Sequence, residues 1–357
     1  MQIKQKMGTL AAILALCAGA STSALAVPTF TPFVTTSDLS TALGNNATIG
    51  FAYAGDKFVG SVYYGTNNNQ LYQTNLTGGG VTAFGAPIAA ASGEIYVSSS
   101  LGLGGFGARD VFAGSQAEGT VYRFNNDGSG QVALTSGLAG AVRGIAFDPY
   151  GLYGYNMLVT TSFGNVYRIN NAGAATLLAN VGEDAEGLSF APQAFGPYAK
   201  GTLVVASEGT GSLRAITPGG AITFIASVGS AEMVSFVPLN LGISGNPLEG
   251  FYAASFPNNI VKASASDFLA YVGDIVVTGE GTHRLTDVKW NGTNFITSDI
   301  GGLPSQPEDG IFVTVDILNP GCDVTHTCGN AVPEPGTLAL FGAALAGFAY
   351  TRRRKFN

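Results

Sequence analysis

The chain has 357 residues, with 16 basic and 23 acidic side chains, a charged fraction of 11%, 51 Gly and 14 Tyr. That composition is too apolar for a disordered chain and too glycine-rich for a helical bundle. Six of the bases stand at the two ends (Lys4, Lys6, Arg352, Arg353, Arg354 and Lys355), leaving 10 against all 23 acids between them, a balance that repels phosphate backbones and excludes a nucleic-acid partner.

Residues 1–26 read as a secretory signal. Lys4 and Lys6 precede an apolar run from Met7 to Ala20, and the small-residue site Ala24-Leu25-Ala26 precedes Val27. Cys17 leaves with it, because bulky Leu16 stands where a lipidation signal needs a small residue. Phe30 to Thr36 then form a strand-like segment with no partner nearby in sequence.

From there to about residue 320 the chain repeats itself. Gln-Leu-Tyr-Gln at 70 to 73 returns as Thr-Val-Tyr-Arg at 120 to 123 and Asn-Val-Tyr-Arg at 165 to 168, and more loosely around Leu213, Ile260 and Phe312. Aligning Tyr72, Tyr122, Tyr167, Leu213, Ile260 and Phe312 gives spacings of 50, 45, 46, 47 and 52 residues. An alternating strand comes earlier in each unit, at Phe51–Tyr53, Ile95–Val97, Ile145–Phe147, Leu188–Phe190, Val234–Phe236 and Val288–Trp290. A second follows a Gly- or Pro-rich turn, at Phe58, Val111, Leu158, Val204, Phe251 and Phe295. The Tyr-bearing strand is third, and a fourth begins near Val81, Val132, Thr176, Ile222 and Phe268. Four strands per unit make a propeller blade, so the sequence predicts an all-β, six-bladed β-propeller over 27–320. The sixth unit lacks a fourth strand of its own, and Phe30–Thr36 is expected to supply it and close the ring. Trp290 and the recurrent aromatics then serve as packing between blades.

Through Arg143-Gly-Ile-Ala-Phe-Asp-Pro and Ala185-Glu-Gly-Leu-Ser-Phe-Ala-Pro the units resemble those of NHL-repeat and gluconolactonase-like propellers. Such propellers host lactonases, hydrolases, ligand binders and scaffolds, so function has to be read from the site. Loops entering the innermost strands and loops joining second to third strands surround the mouth of the central channel. Glu186 and Glu232 precede innermost strands, Asp287 lies within one residue of that place, and Glu208 and Asp299 follow second strands. The resemblance implies one divalent metal held by an acidic and an amide residue at such positions, and Glu186 in Ala-Glu-Gly is the positional match. Gly93 and Arg143 stand where that family's other ligands would be. Ca2+ or another divalent cation is thus one expectation for Glu186, Glu208, Glu232, Asp287 and Asp299. The other is a solvated acidic face on which Arg143 neutralises Glu186. Arg143 and His283 are the candidates for ligand contact.

Other motifs are weaker. Gly102-Leu-Gly104-Gly-Phe-Gly107 fits G-x-G-x-x-G but leads into a strand, so no helix N-terminus awaits a pyrophosphate. Asn125 to Gly130 opens like a calcium loop, yet Ser136 replaces the bidentate Glu, and a hairpin turn is expected instead. Nucleophilic catalysis is left with His283 and Asp287 and has no G-x-S-x-G elbow.

Cys322 and Cys328 in residues 321–331 are expected to pair in an oxidising compartment; zinc would use His326 but finds no fourth ligand nearby. In 332–357, Pro333-Glu334-Pro335 precede an apolar stretch from Gly336 to Tyr350 and the cluster Arg352-Arg353-Arg354-Lys355. This order resembles the PEP-CTERM sorting signal. The apolar stretch is 15 residues, a hydrophobic sorting helix of about 22 Å against a hydrocarbon core of about 30 Å, suited to transient membrane insertion. The basic cluster stays cytoplasmic and the body faces outward. The resemblance implies cutting by an exosortase near Pro333–Pro335, with secretion machinery as a further partner, and delivery to the envelope or an extracellular polysaccharide matrix. Two functions follow as expectations: a noncatalytic module that binds exopolysaccharide or envelope proteins, or a metal-dependent lactonase-like hydrolase.

Overall fold

A computed structural model describes residues 27–88, 93–115 and 119–318. The signal segment, Cys322 and Cys328, and the sorting segment with Pro333, Glu334, Pro335, Arg352, Arg353 and Arg354 lie outside the described residues. Among those described, no helix is long and apolar enough to cross a membrane.

In chain order, β1 is Thr31–Val34, and a short helix, α1 (Thr36–Leu43), follows. Thr35 caps that helix by accepting from the Asp38 N–H, and Gly44 ends it in the left-handed conformation. Blade 1 comprises β2 (Thr48–Tyr53), β3 (Phe58–Val62), β4 (Leu71–Thr74) and β5 (Thr82–Phe84); blade 2 comprises β6 (Ile95–Leu101), β7 (Ala108–Ser115), β8 (Thr120–Phe124) and β9 (Val132–Thr135). Blade 3 holds β10 (Val142–Phe147), β11 (Met157–Thr161), β12 (Asn165–Ile169) and β13 (Ala175–Asn180), and blade 4 holds β14 (Leu188–Phe190), β15 (Leu203–Ser207), β16 (Ser212–Ile216) and β17 (Ile222–Ser227). The remaining strands are β18 (Ala231–Phe236), β19 (Gly250–Phe256), β20 (Ile260–Ser264), β21 (Ile275–Gly279), β22 (Arg284–Trp290), β23 (Phe295–Gly302) and β24 (Gln306–Val313), before a final helical turn, α2 (Val315–Leu318).

The protein is a six-bladed β-propeller of six four-stranded antiparallel sheets. Second strands are covered on both faces by neighbouring blades, which is why β3, β11 and β15 are buried at every position, whereas the outermost strands β13 and β17 expose much of their length. A register shift recurs between the third and fourth strands of blades 2, 3, 4 and 5, and such bulges add twist where a blade splays outward.

Closure follows the expectation. β1 pairs with β20 as the outermost strand of blade 6, with Val34 fully buried. Phe33 packs edge-on against Phe58 at 5.1 Å and Tyr252 at 4.9 Å, which ties blade 6 to blade 1.

The last two blades differ from the simple repeat. Blade 5 reads β18-β21-β22-β23, and blade 6 reads β24-β19-β20-β1. After β18 the chain leaves to build the two middle strands of blade 6, returns through the 3-10 helix Ala265–Tyr271, completes blade 5, and only then lays down the innermost strand of blade 6. Four sequence expectations are corrected by this exchange. Val288–Trp290 belong to a third strand, Phe295–Ser298 to an outermost one, and Phe312 to an innermost one, while Phe268–Tyr271 are helical. In blade 4 the register shift falls between Leu213 and Arg214, so Arg214 occupies the place of Tyr122 and Tyr167, one residue from the aligned Leu213.

Candidate functional site at the channel mouth

Innermost strands run away from one mouth of the channel, second strands return to it, and third strands leave again. Residues that open an innermost strand therefore meet residues in the turn after a second strand. Glu94 directly precedes β6, Arg143 lies in β10, Glu186 precedes β14, Glu232 lies in β18 and Glu308 in β24; Glu208 follows β15 and Glu280 follows β21. Backbone bonds fix this end: the Glu186 N–H donates to the Ala206 carbonyl and the Gly187 N–H to the Glu232 carbonyl, both at 2.9 Å. Gly187 permits that approach, since a Cβ there would sit 2.6 Å from the Met233 Cα. The glycine of Ala-Glu-Gly thus lets Glu186 and Glu232 converge.

Carboxylate oxygens of Glu186, Glu208 and Glu232 all lie within 4.8 Å of one another. Glu186 is 2% exposed and Glu232 3%. Tyr96 Oη donates to Glu232 Oε1 at 3.0 Å, and Gln306 Nε2 donates to Glu308 at 2.6 Å and also to Glu280. Arg143 reaches Glu94 at 2.9 Å, Asp184 at 2.8 Å and Glu186 at 3.3 Å. The other Glu186 oxygen, Oε2, is buried without a hydrogen-bond partner among the described residues.

One guanidinium among so many carboxylates leaves the negative charge uncompensated, and the acids respond by holding protons. Burial raises the Glu186 carboxyl well above its usual range; Arg143 opposes this, and Asp184, Glu94 and Glu208 add to it. Glu232 is raised by burial and then by Glu186, Glu308 and Glu280. Glu280 is pushed up to about 8, first by its hydrogen bond with Glu208 and then by burial. Glu308 reaches about 8 through burial, with Glu94 and Glu280 reinforcing it. Conversely, the surrounding acids hold the Arg143 guanidinium proton more tightly than usual, against its own desolvation.

The donor set is all oxygen, which suits a hard cation. Oxygens on a sphere of about 2.4 Å radius around calcium can be no more than about 4.8 Å apart, so the Glu186, Glu208 and Glu232 spacing fits a shared ion.

Of the residues singled out from sequence, Glu186, Glu208, Glu232 and Arg143 come together here. Asp287 and Asp299 do not. Asp287 sits within the third strand of blade 5, buried, accepting from Ser298 at 3.3 Å, and Asp299 sits on the outermost strand paired with exposed Arg284. Both were placed at the mouth by the simple repeat, and the blade exchange moves them away. His283 lies exposed in the β21–β22 turn that also carries Glu280, with its backbone in the left-handed region. Residues 102–107 form an interstrand loop and 125–130 a hairpin turn in which Asp127 accepts from Ser129.

Glu94, Glu280 and Glu308 were missed in the sequence. Glu94 immediately precedes a predicted innermost strand and was legible there. Gly279-Glu280-Gly281 and Pro307-Glu308-Asp309 were hidden because β21 and β24 were not recognised as a second and an innermost strand.

Residues 331–355 match the PEP-CTERM protein-sorting motif. The chain is accordingly an exported exosortase substrate, carried by membrane processing toward the cell envelope. No protein of curated function matches it in sequence. Among solved structures it is similar to a streptogramin B lyase, with 9% identity over 78% of this chain and 74% of that one and a TM-score of 0.48. It is similar also to the PQQ-bound aldose sugar dehydrogenase of Streptomyces coelicolor, with 14% identity, 77% and 85% coverage and a TM-score of 0.48. A chain of a nidogen/laminin complex gives 14% identity, 70% and 79% coverage and a TM-score of 0.47. Nothing of their activities carries over at such identities and scores.

Proposed function

We propose that this exported propeller is a calcium-dependent binding module of the envelope or extracellular matrix. Glu186, Glu208 and Glu232 hold the ion at the channel mouth, and hydroxyl or carboxylate oxygens of an exopolysaccharide or envelope component complete its coordination. The observation that carries this reading is the trio of converging carboxylates in which one buried Glu186 oxygen has no partner. Calcium takes six to eight oxygens, so three protein carboxylates leave positions open toward solvent.

A metal-dependent lactonase-like hydrolase is the second reading. It is favoured by Glu280, whose carboxyl is half protonated near pH 8 beside the same trio, the state a general acid needs.

Thermal unfolding of the wild type and of Glu186→Gln, with EDTA or 10 mM calcium, tests the shared premise. A site of about 10⁻⁴ M affinity, ordinary for extracellular modules, stabilises the fold by about 2.7 kcal/mol at that concentration. The wild type should respond and Glu186→Gln should not. The absence of any response to calcium, magnesium or manganese overturns both readings. Calcium-dependent retention on exopolysaccharide without lactone opening selects the first, and lactone opening lost in Glu280→Gln selects the second.

A further inference from the structure

The opposite end of the channel has a different chemistry. A cavity of about 890 Å³ opens there, walled by Val97, Ile145, Phe147, Phe190, Phe236 and Phe312. Those residues come from the innermost strands of blades 2 to 6, so its apolar lining is built by the ring itself. Its volume lies within the range of pockets that enclose a drug-sized ligand.

Three charged residues line the cavity: Arg109, Lys200 and Asp309. Asp309 is occupied within the fold, since Phe51 N–H donates to one of its oxygens at 2.8 Å and Gly310 N–H to the other at 2.7 Å. Lys200 lies over the Tyr150 ring at 4.6 Å. Arg109 is only 8% exposed, and its guanidinium stands 5.2 Å from the Tyr53 ring centroid. It makes no ion pair among the described residues, and both Nε and Nη2 are buried without a hydrogen-bond partner. A buried guanidinium left without an acceptor is costly to a fold. Arg109 also lines the cavity, so its uncompensated positive charge stands at the apolar wall.

We infer that this cavity binds an apolar monocarboxylate, its chain or ring against the phenylalanine-lined wall and its carboxylate at the Arg109 guanidinium. Tyr96, whose hydroxyl donates to Glu232, also lines the cavity, but the anion site at Arg109 uses none of the cluster carboxylates and needs no metal. The uncompensated guanidinium selects an anion; the aromatic and aliphatic wall selects the body attached to it.

The test compares dodecanoate, dodecanol and dodecyltrimethylammonium, each below its micelle-forming concentration, titrated calorimetrically into the exported protein purified without detergent and kept in EDTA. Dodecanoate should bind at least tenfold more tightly than either of the others. Arg109→Gln should remove that preference while leaving dodecanol affinity within twofold, and Arg109→Lys, which keeps the positive charge, should retain part of it. Equal affinity for the three head groups, or no binding of dodecanoate, overturns the inference from the wild type alone, whether or not the variants fold. So does an anion preference that survives in folded Arg109→Gln. Because EDTA is present throughout, failure here is independent of the calcium reading.

Discussion

Replacing Glu308 with Gln should make the cation-free propeller more stable, by an amount that depends on pH. Glu308 is 3% exposed, and burial, with Glu94 and Glu280 nearby, pushes its carboxyl up to about 8 from its ordinary value of 4.5. The folded protein therefore keeps a proton that the unfolded chain surrenders between those values, and stability is lost as pH rises through that window. The resulting penalty is below about 1 kcal/mol at pH 5 and about 3 kcal/mol at pH 7. Gln keeps the shape without titrating, so the variant should escape that penalty, about 5 °C in melting temperature at pH 7 for a body of this size. Thermal unfolding in EDTA at pH 5, 6, 7 and 8 measures it. A gap between variant and wild type that does not widen with pH, or a wild type that grows more stable from pH 5 to 8 without cation, would refute the account of a self-repelling mouth. Added calcium should reverse the wild-type slope, because an ion displaces the protons that the carboxylates otherwise retain.

Two tyrosine-to-phenylalanine changes should differ sharply in denaturant unfolding. Tyr153 Oη accepts from the Leu203 N–H at 2.9 Å and donates to the Ile216 carbonyl, so Tyr153→Phe strands two backbone groups and should cost about 2–4 kcal/mol. Tyr72 is equally buried but its hydroxyl has no partner among the described residues, so Tyr72→Phe should lie within about 0.5 kcal/mol of wild type or stabilise. Gly60→Ala should cost about 1–3 kcal/mol in the same assay, because its new methyl would collide with the Tyr72 ring. Deleting residues 27–35 removes β1 and bares the edge of β20, and should turn a monodisperse protein into one that associates or is cleaved by protease, read by size-exclusion chromatography and limited proteolysis.

The first four blades were legible because each repeats its strands in chain order and the turns between them carry glycine or asparagine. Tyr72, Tyr122 and Tyr167 mark equivalent third strands on that basis. The signal failed where two blades exchange strands. Val288-Lys-Trp290 alternates as an innermost strand does, yet alternation reports only that two faces differ, not where in a blade the strand lies. Phe268–Tyr271 offered the apolar spacing of a fourth strand and instead buries Phe268 and Tyr271 from a 3-10 turn. The site inherited the same error. Glu186, Glu208 and Glu232 were found because their blade positions were right or off by little, whereas Asp287 and Asp299 were lost and Glu280 and Glu308 overlooked. Arg109 carried no sequence signal, since its isolation from acids is a property of the folded ring alone.

The interlaced last two blades bear on how the molecule reaches its destination. Sheets one to four could be duplicated or lost as cassettes, but the fifth and sixth share a crossing path and must be inherited together. Synthesis delivers the amino end first, and the final sheet, whose outermost strand β1 comes first, waits for its innermost strand β24, which ends at Val313, shortly before the sorting motif at 331–355. The ring thus cannot lock until almost the whole body has been made. Completion of the propeller and the sorting motif are thus set by neighbouring stretches of one chain.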